Sequence, residues 1–250
     1  MLKRFHKGLS WSGAKTFLPA KTTPQGCSAA PFCVQNAVRP GFYLLYYGVG
    51  KFLFSIIFRL IFRTRIIGRE RIPRDGGLLV VCNHISFLDP PLLGAVMPRP
   101  VEFMTMVELF RKPWLAGLLR TVGCFPVDRS RIDHSAAREA IRRLRAARCV
   151  VIFPEGGIRL SEQSVLGGEP IFKPGAGSIA LLGGAAILPV VVRDTRKPYV
   201  GRNWLRRETI GITFGRPFSL WNPEGLGTEE RRRRSREVLR EELLKTVELN

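Results

Sequence analysis

His84 and Asp89 lie five residues apart in the run Asn83-His84-Ile85-Ser86-Phe87-Leu88-Asp89. A neutral imidazole can take a proton from an alcohol near neutral pH. A carboxylate bonded to its other ring nitrogen fixes the tautomer and steadies the imidazolium. The pair has the makings of a general base and its orienter; the plainer alternative is a hydrogen-bonded structural histidine. A second run, Gly123-Cys124-Phe125-Pro126-Val127-Asp128-Arg129, ends in a guanidinium that can fork onto a phosphate or form a surface ion pair. In a third, Phe153-Pro154-Glu155-Gly156-Gly157-Ile158-Arg159, a carboxylate stands beside two glycines. Ligand hydroxyls could bond to it while the bare backbone comes close. Residues 154–177 contain six glycines and Lys173, a second candidate cation for phosphate.

These groups need elements to place them. Short apolar runs at 78–82, 101–105, 124–127, 149–153, 187–192 and 210–214 read as strands. Helical patterns at 91–97, 113–119, 135–147, 177–182 and 229–247 alternate with them. The alternation predicts an α/β domain over 66–225, with a mostly parallel central sheet flanked by helices, followed by a C-terminal helix at 226–250. Ligands of such sheets bind beyond the carboxyl ends of the strands, where His84, Asp128, Glu155 and Arg193 fall. Five residues do not share a helix face. The His84–Asp89 spacing fits a turn, with Asp89 opening the next helix; Asp before Pro90 also reads as an N-cap.

The chain has 250 residues and a formal charge of +20. Eleven Lys or Arg precede the first acidic residue, Glu70. Such a chain expects an anionic partner: nucleic acid, a membrane surface or a phosphorylated substrate. Five cysteines form no C-x-x-C pair and read as reduced thiols. Residues 1–40 are basic and lack the apolar stretch of a secretory signal, which leaves a disordered tail or an organellar targeting segment. Residues 42–62 include 16 apolar or aromatic positions among 21, with Lys51 near the middle. Lys51, Ser55, Arg59 and Arg63 recur every four residues, a polar stripe opposite a broad apolar face. The pattern predicts a helical segment at 41–65 lying in a membrane interface, with its cations toward lipid phosphates. A true span and a helix packed on the protein's own core are the alternatives.

The three runs, in this order, resemble the glycerolipid acyltransferase family. Its first block is N-H-x4-D, matched by Asn83, His84 and Asp89. Its second is of the G-x-F-x-x-D-R type, matched by Gly123, Phe125, Asp128 and Arg129, and its third is F-P-E-G, matched by residues 153–156. An apolar fourth block with a proline corresponds to 187–191. The resemblance implies transfer of a fatty acyl group from acyl-CoA or acyl carrier protein to a lysophospholipid, giving phosphatidic acid when the acceptor is 1-acyl-sn-glycerol-3-phosphate. Glycerol 3-phosphate, another lysophospholipid or a lipoamino acid are alternative acceptors. It also implies a site at the cytoplasmic face of a membrane, or at a plastid envelope if the tail is a transit peptide. His84 and Asp89 would be catalytic; Asn83, Gly123, Arg129, Glu155, Gly156, Arg159 and Lys173 would bind substrate. The third block commonly continues Thr-Arg-Ser, whereas here Gly157 and Ile158 precede Arg159, so the arginine is displaced by one position.

No cofactor is implied. Histidines 6, 84 and 134 are too scattered to build a metal site, and no G-x-S-x-G nucleophile elbow occurs. Gly175-Ala176-Gly177-Ser178-Ile179-Ala180 matches G-x-G-x-x-A, but Lys173-Pro174 stands where a dinucleotide fold needs a strand. The Arg231–Arg234 run is interleaved with glutamates on a predicted helix, which argues against nucleic acid as the partner.

Overall fold

A computed structural model describes residues 15–16, 40–130, 133–160, 162–196, 208–220 and 227–249, with side chains from Tyr47 onward. The expectation of a tail or targeting segment over 1–40 lies almost wholly outside the described residues.

The apolar runs are buried on both sides because they form the centre of a sheet. β3 (Leu78–Cys82) pairs in parallel with β6 (Cys149–Ile152) on one side and with β7 (Ala186–Arg193) on the other. β4 (Glu102–Met106) lies parallel to β6, and β5 (Phe125–Val127) parallel to β4. β7 then divides its other edge. Its carboxyl half pairs antiparallel with β8 (Thr209–Phe214), and Ile187 pairs with β9 (Phe218–Ser219). β2 (Arg63–Ile67) continues the sheet parallel to β8, and β1 (Lys15–Thr16) lies antiparallel to β9.

Side chains alternate across this sheet. Leu78, Val80 and Cys82 join a cluster with Phe58 and Phe62, near the end of α1 (Pro40–Ile61), and with Leu92 and Leu93 of α2 (Asp89–Val96). Leu79 and Val81 face the opposite layer. There they meet Ala140 and Leu144 of α4 (His134–Arg145), Ile179 of α5 (Pro174–Gly183), and Leu239 and Leu243 of α6 (Thr228–Glu248). Strands buried on both faces need near-continuous apolar sequence, and these have it. α3 (Pro113–Thr121) leads into β5.

Three elements differ from the sequence reading. Arg63, counted there as part of the helical stripe, opens β2 instead, because α1 ends at Ile61 and the chain pairs at once with β8. The helix read at 177–182 begins earlier, at Pro174, and takes in Gly175; Gly177 lets α6 pack closely, since a Cβ there would stand 2.7 Å from the Arg232 carbonyl oxygen. The glycines that imitate a dinucleotide motif thus lie within a helix, and Gly177 serves its packing.

Lys51 and Ser55 of the α1 stripe turn inward, against the expectation, while Arg59 is exposed. Lys51 Nζ donates to the Met97 carbonyl at 2.5 Å, and Ser55 Oγ donates to that of Ala95. Arg69 Nε donates to the Val96 carbonyl. The unpaired C-terminal carbonyls of α2 thus receive three donors, two of them cationic. Phe52, Leu53 and Leu60 face outward, Phe52 at 65% and Leu60 at 67% exposure. Among the described residues, no helix is long and apolar enough to cross a membrane.

Candidate active site

The turn after β3 is organised by one carboxylate. Asp89 is fully buried as the first residue of α2. Its Oδ2 accepts from Ile85 N at 2.8 Å and from Ser86 N at 2.9 Å, and lies 2.8 Å from His84 Nδ1. Its Oδ1 accepts from the Thr195 hydroxyl at 2.5 Å. A carboxylate can only accept, so Nδ1 carries the ring proton and Nε2 is left with its lone pair. The imidazole also stacks on Phe153, with ring centroids 4.2 Å apart. The N-cap expected of Asp89 is not what its side chain does. It closes the turn that leads into the helix and bonds the histidine.

The strand end is held from both sides. Asn83 donates from Nδ2 to the Val192 carbonyl and accepts from Val192 N at 2.7 Å. Its side chain extends the β3–β7 ladder past Cys82, so both ends of its amide are engaged by backbone. Glu155 is buried too. Its Oε2 accepts from His84 N and its Oε1 from Val165 N at 2.7 Å. Burial pushes its carboxyl up, against the pull of those two N–H groups. Glu155 thus ties His84 to the loop after β6. Arg159 adds a backbone tie, its N–H donating to the His84 carbonyl at 2.8 Å, while its side chain is exposed.

Two cations approach the same loop. Gly156 turns at φ 75°, and the stem of Lys173 crosses it so closely that a Cβ there would lie 2.8 Å from Lys173 Cε. A Cβ on Gly157 would lie 4.0 Å from Nη1 of Arg129. Arg129 is half-buried, which lowers its pKa against the opposing pull of Glu108. α5 begins directly after Lys173, with Pro174 in its first turn, so the positive end of its dipole lies at Lys173 beside Gly156.

Gly123 ends α3. At φ 80° its N–H donates to the Arg120 carbonyl, and Cys124 N donates to that of Leu119, the two bonds of a Schellman ending. Arg143 then fastens this turn, donating to the Gly123 carbonyl at 2.7 Å, pairing with Glu102 and Glu139, and covering the Phe125 ring. Asp133 closes the loop that carries Arg129. Its side chain caps α4 through Ser135 N and Ala136 N and accepts from Asp128 N.

Sequence reasoning missed Thr195 and Asp133. Asp133 was visible as a cap residue at a helix start. Thr195 had no local signal, because its partner lies 106 residues away. The Cys82 thiol, beside His84 in sequence, is pushed up by burial and by the charges of Asp89 and Glu155, so it is no nucleophile. Among the described residues, no three His, Cys, Asp or Glu cluster as a metal site would require.

Asp133 yields a test. Burial pushes its carboxyl up, but donors from Asp128, Ser135 and Ala136 outweigh it and hold the pKa at about 2. That lies below the ordinary value of about 3.9. The stabilisation is therefore full above that ordinary value and is lost as pH falls through about 2. Asp133→Ala should cost about 1 kcal/mol at neutral pH, read from urea denaturation midpoints. The gap should narrow as pH approaches 2; an unchanged gap there would place the contribution elsewhere.

The similarities of the chain agree with this geometry. It is 28% identical to the 1-acyl-sn-glycerol-3-phosphate acyltransferase of Bacillus subtilis over 169 residues, 67% of this chain and 80% of that one. It is 31% identical to the enzyme of the same name from Borreliella burgdorferi over 137 residues, 54% of this chain and 53% of that one. The crystal structure of the 1-acyl-sn-glycerophosphate acyltransferase of Thermotoga maritima shares the fold, with a TM-score of 0.61, 23% identity, and coverage of 85% of this chain and 83% of that one. The family model named Acyltransferase matches residues 63–193, from β2 through Arg193 at the end of β7. With that match over more than half its length, the chain is a member of the Acyltransferase family.

Proposed function

We propose that the chain transfers a fatty acyl group from a thioester, acyl-CoA or acyl carrier protein, to the free hydroxyl of 1-acyl-sn-glycerol-3-phosphate. The observation that carries this reading is the buried His84–Asp89 pair, beside a loop flanked by Arg129 and Lys173. Nε2 of His84 removes the proton of the acceptor hydroxyl as its oxygen attacks the thioester carbonyl. The tetrahedral oxyanion then collapses, the carbon–sulfur bond breaks, and the departing thiolate takes the proton from the imidazolium. Asp89 stabilises that imidazolium and fixes the ring. Because the acceptor attacks directly, no acyl-enzyme is formed. Arg129 and Lys173, aided by the α5 terminus, hold the acceptor phosphate. Asn83, Gly123, Glu155 and Gly156 serve that site through the backbone they position. Arg159 ties its backbone to His84, and its exposed side chain is a third cation near the loop.

The acceptor is a membrane amphiphile, and α1 meets its surroundings with apolar side chains. Phe52, Leu53, Phe54, Ile57 and Leu60 face outward, an area too continuous to leave to water. We infer that this face enters the interface of an anionic membrane at its cytoplasmic side, with the remaining basic charge drawn to the headgroups. Phe52→Asp combined with Leu60→Asp should abolish flotation with vesicles of phosphatidylcholine and phosphatidylglycerol. Flotation equal to the unaltered protein would move the attachment elsewhere.

Mass spectrometry of products tests the reaction. Oleoyl-CoA with 1-acyl-sn-glycerol-3-phosphate should give phosphatidate, and glycerol 3-phosphate should give no product. Lysophosphatidate from the latter would keep the chemistry and change the acceptor; no product from either would overturn the acceptor assignment. Arg129→Ala should raise the acceptor KM with a smaller effect on kcat, and an unchanged KM would remove its phosphate role.

A further inference from the structure

Resting on the reading above, we propose that Thr195 is a positioning residue of the general base, acting through Asp89. Among the described residues its hydroxyl is the donor to Asp89 Oδ1, while Oδ2 takes Ile85 N, Ser86 N and the imidazole. Thr195 has no exposed surface, and neither has Asp89, so water does not replace this bond. The hydroxyl is brought there by the end of β7. Asn83 clamps Val192 to the end of β3, and two residues on the chain turns sharply at Asp194, whose φ is 63°. A non-glycine residue in that left-handed region bends the chain back over the catalytic turn. β7 therefore contributes to the catalytic pair through its far end as well as to the core through its middle.

The contribution is electrostatic and geometric. Three donors fix Oδ2, and the fourth stops the carboxylate from rotating about its Cβ–Cγ bond. It also stabilises the negative charge that the imidazolium needs opposite it. A carboxylate deprived of that donor in a dry site takes a proton on the free oxygen more readily and then supports the imidazolium less.

Thr195→Val, close in shape but without the hydroxyl, should lower kcat by about ten- to a hundredfold, the range for losing a hydrogen bond to a charged group. KM for both substrates should stay within about twofold, because nothing in the phosphate or acyl sites moves. The acid limb of the kcat–pH profile, set by protonation of the base, should shift to lower pH, because the imidazolium is less stabilised. Thr195→Ser should restore most of the rate and the original profile. Equal losses in Val and Ser, or a Val variant with lowered melting temperature but unaltered kcat and pH profile, would overturn the proposal. If Val does not fold, Ala and Ser carry the same comparison. The His84 Nδ1 proton resonance gives a readout independent of substrate: it should move in Val and stay in Ser. A resonance unchanged in Val would overturn the positioning role even if the acceptor assignment had failed.

Discussion

One buried carboxylate sets the geometry of the site. Asp89 has no contact with water, and its two oxygens are met by two backbone N–H groups, an imidazole and a hydroxyl. An ionised group in a dry interior is costly unless it is fully bonded. Here the four donors come from the turn after β3 and from the segment after β7. The charge therefore forces those two strand ends together, and the ring of His84 takes the one remaining place. Glu155 applies the same device to the loop after β6, gripping His84 N and Val165 N. Two buried carboxylates, each bonded to backbone, assemble one site from three loops.

The same economy of bonding explains the orientation of α1. Carbonyls at the C-terminus of α2 need donors, and Lys51, Ser55 and Arg69 supply them. Burial, and after it the charge of Arg69, lowers the Lys51 pKa. With Lys51 and Ser55 engaged inward, Phe52, Leu53, Ile57 and Leu60 are left on the outside. α2 begins at Asp89 and ends against α1, so the outward apolar face and the His84–Asp89 pair are joined by a single short helix.

Much of this was legible in the sequence. Each central strand was readable because a strand buried on both faces has to be apolar throughout, as in Leu78–Cys82. His84 and Asp89 were readable because their chemistry is local, five residues within one turn. β2 was not, since Arg63–Ile67 follows an apolar helix with no breaker and its pairing depends on β8, about 145 residues on. The inward turn of Lys51 and Ser55 was hidden because periodicity shows that a helix has two faces, not which partner each face meets. Asn83, Gly123 and Glu155 sit in the motifs as expected, and their side chains or backbones also bond to the fold. A motif shows that a residue matters; only the distances show what it touches. Thr195 could not be found at all, because a single hydroxyl carries no pattern.

The most direct test of the central claim is turnover by His84→Ala, measured by product mass spectrometry on protein whose circular dichroism matches the unaltered chain. General-base catalysis predicts a loss of at least about a hundredfold in kcat with binding of the acyl donor retained. Turnover within a few-fold of the unaltered protein would contradict the account, and with it the role of Asp89 as the anchor of the base.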